Sequence, residues 1–160
     1  IDYTKALEIE PNEAEYYANR GATYARLGDF DNALKDCTVA IDLNPKFANG
    51  YLNRSVLYHQ TNELQLALND IMSYLKLNPY NADIWFEACR TNVLLNNYPE
   101  AEKMINKALN LDQSKGIFYY QRCLLYFNTQ RLDLAKNDLN KALSLGYDNI
   151  DPTVRIRLGM

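Results

Sequence analysis

Apolar and small side chains recur at helical spacing along this chain. Tyr17, Gly21, Tyr24 and Leu27 stand at i, i+4, i+7 and i+10, which places them on one face of a helix. Ala33, Cys37, Ala40 and Ile41 form a second such face shortly afterwards. Between the two runs lies LGDFD. Gly28 suits the left-handed residue that ends a helix, and Asp29 suits the cap of the next. After the second run comes LNPKFA. Pro45 cannot continue the helix before it and disfavours helical backbone at Asn44. The pattern predicts two antiparallel helices joined by a tight turn.

That unit repeats every 34 residues, as Ala33, Ala67, Ala101 and Ala135 show, and Pro11, Pro45 and Pro79 keep the same interval. Tyr17, Tyr51, Trp85 and Tyr119 form an aromatic column. Gly21, Ser55, Cys89 and Cys123 form a column of small residues, and Leu7, Ile41, Leu75, Leu109 and Leu143 an aliphatic one. One helix pair cannot bury its apolar face alone, so stacked pairs share a continuous core. The small column and the alanines let the two helices of a pair approach closely, and the aromatic column fills the space between them. The expected class is an all-α solenoid of stacked antiparallel helix pairs forming a single domain over 1–160. Full repeats are expected at 14–47, 48–81, 82–115 and 116–149. Residues 1–11 match only the second helix of an earlier repeat, which suggests a fragment or a processed product. Residues 150–160 read as the start of a capping helix, with Asp151 as its cap and Pro152 in its first position.

These columns resemble the tetratricopeptide repeat over nearly the whole chain. The family pattern reads Tyr17, Gly21, Tyr24, Ala33, Ala40, Pro45 in the first full repeat and Tyr51, Ser55, Tyr58, Ala67, Tyr74, Pro79 in the second. The third reads Trp85, Cys89, Asn92, Ala101, Ala108, and the fourth Tyr119, Cys123, Tyr126, Ala135, Ala142. Tyr74 stands where alanine is usual, Asn92 where an aromatic is usual, and Gln113 where proline is usual; the fourth repeat ends in Gly146. Residues 16–45 also resemble the chaperone-binding co-chaperones of this family, which grip a C-terminal carboxylate. Such a grip needs several donors converging on one carboxylate. Asn19 matches the clamp asparagine, but the clamp lysine and arginine fall on Asn49 and Asn53, so the clamp is not retained. Arg20 and Arg54 do not replace it; they fall at a face between units, where their stems are expected to run past apolar neighbours.

The resemblance implies a right-handed α-solenoid, a superhelix whose concave surface is lined by the first helices. In the first two repeats its polar positions include Asn19, Asn49 and Asn53. In the last two, Phe86, Arg90, Tyr120, Leu124 and Phe127 form an apolar groove around an arginine, the residue types enriched in binding hot spots. These eight residues are the candidate partner-binding face, and Phe86, Arg90, Tyr120 and Phe127 the candidate anchors for a peptide or helix. The competing expectation is that the C-terminal helix folds back over them.

Composition narrows the class of partner. The chain has 160 residues and a net charge of −3, with a pI near 5.2. There is no basic stripe for nucleic acid, and no apolar run approaches the ~20 residues of a membrane span. Three cysteines do not make a disulfide framework. Cys89 and Cys123 are expected as buried free thiols, and with no signal in the chain they favour a cytoplasmic setting. There is no zinc spacing or glycine-rich phosphate loop, and no nucleophile pairs plausibly with the single histidine, His59. The reading is a non-catalytic protein-interaction module with no cofactor and no metal, binding a protein or peptide. The alternatives are a self-associating structural segment, joined through exposed end repeats, or an accessory domain of a larger protein.

Overall fold

The computed structural model describes residues 2–160; among them are ten α-helices and no strand. They are α1 (Tyr3–Ile9), α2 (Ala14–Arg26), α3 (Phe30–Leu43), α4 (Ala48–Gln60), α5 (Leu64–Leu77), α6 (Ala82–Leu94), α7 (Tyr98–Leu111), α8 (Gly116–Asn128), α9 (Leu132–Ser144) and α10 (Pro152–Arg157). First helices begin at 14, 48, 82 and 116, and second helices at 30, 64, 98 and 132, so both series keep the 34-residue interval. The class is an all-α solenoid of antiparallel helix pairs. Its contacts gather into two compact units, one ending at Pro79 and the other beginning at Tyr80. Each unit contains two complete pairs and one lone helix: α1 in the first, α10 in the second. Within the stretch 1–11, Tyr3–Ile9 forms α1, with Leu7 buried; Ile1 lies outside the described residues.

The turn inside each pair follows one recipe. Gly28 has φ +80°, and Asn62, Asn96 and Gln130, each one period further on, have φ of 62°, 58° and 61°. The residue after each sends its N–H back across the turn: Asp29 to the Tyr24 carbonyl, Glu63 to Tyr58, Asn97 to Asn92 and Arg131 to Tyr126, at 2.7–3.0 Å. This is the left-handed helix stop that satisfies a terminal carbonyl. Asp29 then caps α3 by accepting from the Asn32 N–H. In the connection between α7 and α8, where Gln113 replaces proline, Asp112 does the work: its Oδ1 accepts from the Ser114 N–H at 2.9 Å.

Within each pair the helices meet on small residues. Ala33, Ala67, Ala101 and Ala135 are fully buried, and so are the thiols of Cys89 and Cys123. A Cβ added at Gly21 would come within 3.1 Å of the Ala33 carbonyl oxygen and the Cys37 sulfur. At the start of α10 the Asp151 carboxylate accepts from the Thr153 N–H at 2.7 Å, and Pro152 is its first residue.

Candidate partner-binding faces

Arg20 and Arg54, expected to run past apolar neighbours, are instead fixed by carboxylates. Arg20 donates Nε and Nη2 to the two oxygens of Asp36 at 2.7 and 2.9 Å. Arg54 holds Asp70 with the same distances, and Arg122 holds Asp138 likewise. The aspartates are buried. Each fork joins the first helix of a pair to its second, 16 residues on. Arg54 also donates to Thr38 Oγ1 and Arg122 to Asn106 Oδ1, so each additionally ties its pair to the second helix of the pair before. The guanidiniums lie 5.7–5.9 Å from the ring centres of Tyr24, Tyr58 and Tyr126. The carboxylate bonds raise all three arginine pKa values, which keeps the forks charged.

The third pair lacks all three parts together. Ala88 stands for the arginine, Met104 for the aspartate and Asn92 for the tyrosine. With no guanidinium to cover, the aromatic is absent; buried Asn92 satisfies its amide by donating to the Ala88 carbonyl at 2.9 Å. The sequence departure at Asn92 is thus one part of a coordinated replacement. Sequence reasoning missed this ladder, although the arginine–aspartate spacing of 16 was present in three repeats.

In the second unit two of the four candidate anchors, Phe86 and Tyr120, are buried. Phe86 stacks on Phe118 with ring centres 4.9 Å apart. Tyr120 is 9% exposed, lies 5.3 Å from the Tyr147 ring, and its hydroxyl accepts from the Asp151 N–H at 2.9 Å. Leu124 and Phe127 are partly buried against a cluster that includes Val154 and Leu158 of the C-terminal segment. The Arg157 guanidinium lies 5.0 Å from the Phe127 ring centre. The C-terminal helix therefore packs over Tyr120 and Phe127. Arg90, expected inside the groove, is exposed and paired with Glu87 at 3.1 Å.

The first unit has an open groove of about 400 Å³, lined by Gly21, Ala22, Ala25, Arg26, Cys37, Asn53, Val56, Leu57 and Gln60. It runs between α2 and α4, with the Cys37 thiol of α3 behind. Val56 is 50% exposed within it. Asn53 is half-buried and donates to the Ala18 carbonyl at 3.4 Å. Of the other polar candidates, Asn19 is half-buried and Asn49 exposed; neither lines the groove. Burial pushes the Cys37 thiol up to about 11 and those of Cys89 and Cys123 to about 12, so all three are neutral at ordinary pH. All are free cysteines.

Profiles of the tetratricopeptide repeat match residues 14–47 and 117–148. Among curated proteins, neutrophil cytosol factor 2 of Homo sapiens is 42% identical over 50 residues, 31% of this chain and 10% of that protein. Small glutamine-rich tetratricopeptide repeat-containing protein beta of Homo sapiens is 51% identical over 35 residues, 22% of this chain and 12% of that protein. The chain thus spans only about a tenth of the length of these relatives. Among solved structures, MamA superposes with a TM-score of 0.84 at 22% identity, covering 90% of this chain and 84% of that one. YrrB, described as a TPR protein with an unusual peptide-binding site, gives 0.81 at 19% identity, covering 91% and 75%. No helix of the described residues is long and apolar enough to cross a membrane. The 34-residue helix pairs and the small-residue columns agree with these matches, which assign tetratricopeptide repeats to residues 14–47 and 117–148.

Proposed function

We propose that this chain is a non-catalytic protein-interaction module and that the α2–α4 groove of its first unit receives a peptide or short helix from a partner. The fold and the family belong to the class of protein–protein interaction modules. The observation that carries the finer reading is the contrast in cover. The face of α8 at Tyr120 and Phe127 already holds a short helix, α10, whereas the α2–α4 groove is open and lined mainly by small and apolar residues. A groove of this volume falls within the ~300–1,000 Å³ range of ligand sites. The likeness to YrrB, a TPR protein with a peptide-binding site, supports peptide as the ligand class. Asn53 belongs to this site. Phe86 and Tyr120 serve the core of the second unit in this reading, and Leu124 packs against that core.

The test is selection of binding peptides from a displayed library on the full chain, followed by amide chemical-shift mapping. Shifts centred on Ala22, Ala25, Val56 and Leu57, abolished by Val56→Glu, are expected. Val56 is half exposed, so the substitution leaves the fold intact. Shifts confined to α6 and α8 would refute the first-unit site. Self-association is the second reading, favoured by the exposure of Ile9 and Leu27 at 82% and 76%. Light scattering over a concentration series decides it: a constant monomer mass rejects it.

A further inference from the structure

We infer that the first-unit groove selects an apolar peptide segment that carries an acidic side chain, with Arg26 as the residue that recognises the acid. This rests on the reading of the groove as a peptide site and adds the chemistry of the ligand. Arg26 is the one ionised side chain among the lining residues; the thiol of Cys37 is held neutral by burial, and the others are apolar or amides. The first unit has three arginines, and two are committed: Arg20 to Asp36 and Arg54 to Asp70. Arg26 makes no ion pair among the described residues. Its one hydrogen bond is a long Nε–H contact of 3.4 Å to the carbonyl of Ala22, on its own helix. It is exposed at the last turn of α2, beside the apolar floor formed by Ala22, Ala25 and Val56. An uncommitted guanidinium beside an apolar trough is complementary to a ligand with aliphatic side chains and one carboxylate nearby.

The carboxylate is a side chain rather than a chain terminus. Capture of a terminus needs several donors converging on one point. Here Asn49 and Asn53 stand at the positions where converging cations would be required, and the Asn53 amide is already directed to the Ala18 carbonyl. A single fork without helpers suits a single acidic side chain flanking the buried aliphatic residues.

The probe is a short acetylated and amidated peptide with two leucines one helical turn apart and a glutamate one turn further on. It is compared with the same peptide bearing glutamine or lysine in place of glutamate, and with one that lacks the glutamate and ends in a free carboxylate. Fluorescence anisotropy on the full chain reads the dissociation constants. At low salt the glutamate peptide is expected to bind ~3–5-fold tighter than the glutamine peptide, the range of a solvent-exposed charge pair. Arg26→Glu is expected to reverse the order in favour of the lysine peptide. Equal binding of the glutamate and glutamine peptides, with loss of both in Val56→Glu, overturns the charge assignment and leaves the groove site standing. Tightest binding by the free-carboxylate peptide overturns it in favour of a terminus. Binding untouched by Val56→Glu, or no binding of any peptide, overturns the groove site as well.

Discussion

The two units use the same helix-pair plan and fill it differently. In the second, Phe86 of α6 and Phe118 of α8 stack at 4.9 Å. Two periods earlier the same positions hold Ala18 and Gly50. There Gly50 seats against α3, where an added Cβ would lie 3.0 Å from Ile41 Cγ1, and the Asn53 amide of α4 reaches the Ala18 carbonyl of α2. One seam is closed by aromatic volume, the other by close approach and a hydrogen bond. The neighbouring positions follow suit. Leu124 and Phe127 face the C-terminal segment, whereas their first-unit counterparts are Val56, in the open groove, and His59. The comparison teaches that the repeat fixes where helices meet, while side-chain size at each column sets whether that meeting is a filled core or a groove.

The sharpest way to break the comparison is Phe118→Ala. Phe118 is 1% exposed, and its truncation is expected to cost about 3–5 kcal/mol. Urea denaturation measures the loss, and hydrogen exchange should show the greatest loss of protection in α6 and α8. A loss below about 1 kcal/mol would show that the seam collapses to the first-unit arrangement.

Next in size is the arginine ladder. Asp70→Ala leaves the Arg54 guanidinium without its carboxylate and is expected to destabilise by about 2–3 kcal/mol, tempered by the partial exposure of the arginine. The third pair supplies the remedy already written into the chain. Arg54→Ala combined with Asp70→Met, which copies Ala88 and Met104, is expected to cost less than Asp70→Ala alone. Thermal denaturation of the single and double variants decides the order.

Alkaline pH separates the units more gently. The folded thiols titrate at about 11 for Cys37 and about 12 for Cys89 and Cys123, against 9.0 when free. An acid raised on folding favours the native state only while it is protonated in both states. Stability therefore falls as pH rises above the unfolded value, by ~1 kcal/mol per thiol near about pH 10. The second unit, with two such thiols, is expected to lose more than the first, with one. Repeating the titration with Cys89→Ala and Cys123→Ala together should reverse the order, so that the first unit, which keeps Cys37, loses more.

The smallest effect concerns the turns. Gln130 carries a φ of 61° at the position held by Gly28 in the first full repeat. Gln130→Gly is expected to stabilise by about 0.5–1 kcal/mol, and Asn62→Gly by less, because asparagine tolerates the left-handed region better. A shift in the denaturation midpoint without a change in slope is the expected signature.

Much of the fold was legible because repetition turns weak local signals into columns. Gly28, Asp29 and Pro45 marked the helix ends, and Asp151 with Pro152 marked the last helix, since capping and turn chemistry act within a few residues. The candidate site was legible only in part. Tyr120 and Phe127 stand at positions the period assigns to a groove, and periodicity carries no information on whether α10 packs there. The arginine forks were missed because a lone arginine on a helix reads as a surface charge until its aspartate, 16 residues away, is seen across the pair.

By itself the sequence determined the helical pairs, their 34-residue interval and the small residues on which they close, because these follow from spacing and sterics within one repeat. Only the tertiary structure decided which apolar face is covered and which is open. Cover depends on the side-chain volumes and hydrogen-bond partners that distant segments bring to one place: Asp151 to Tyr120 in the second unit, and Asn53 to Ala18 in the first.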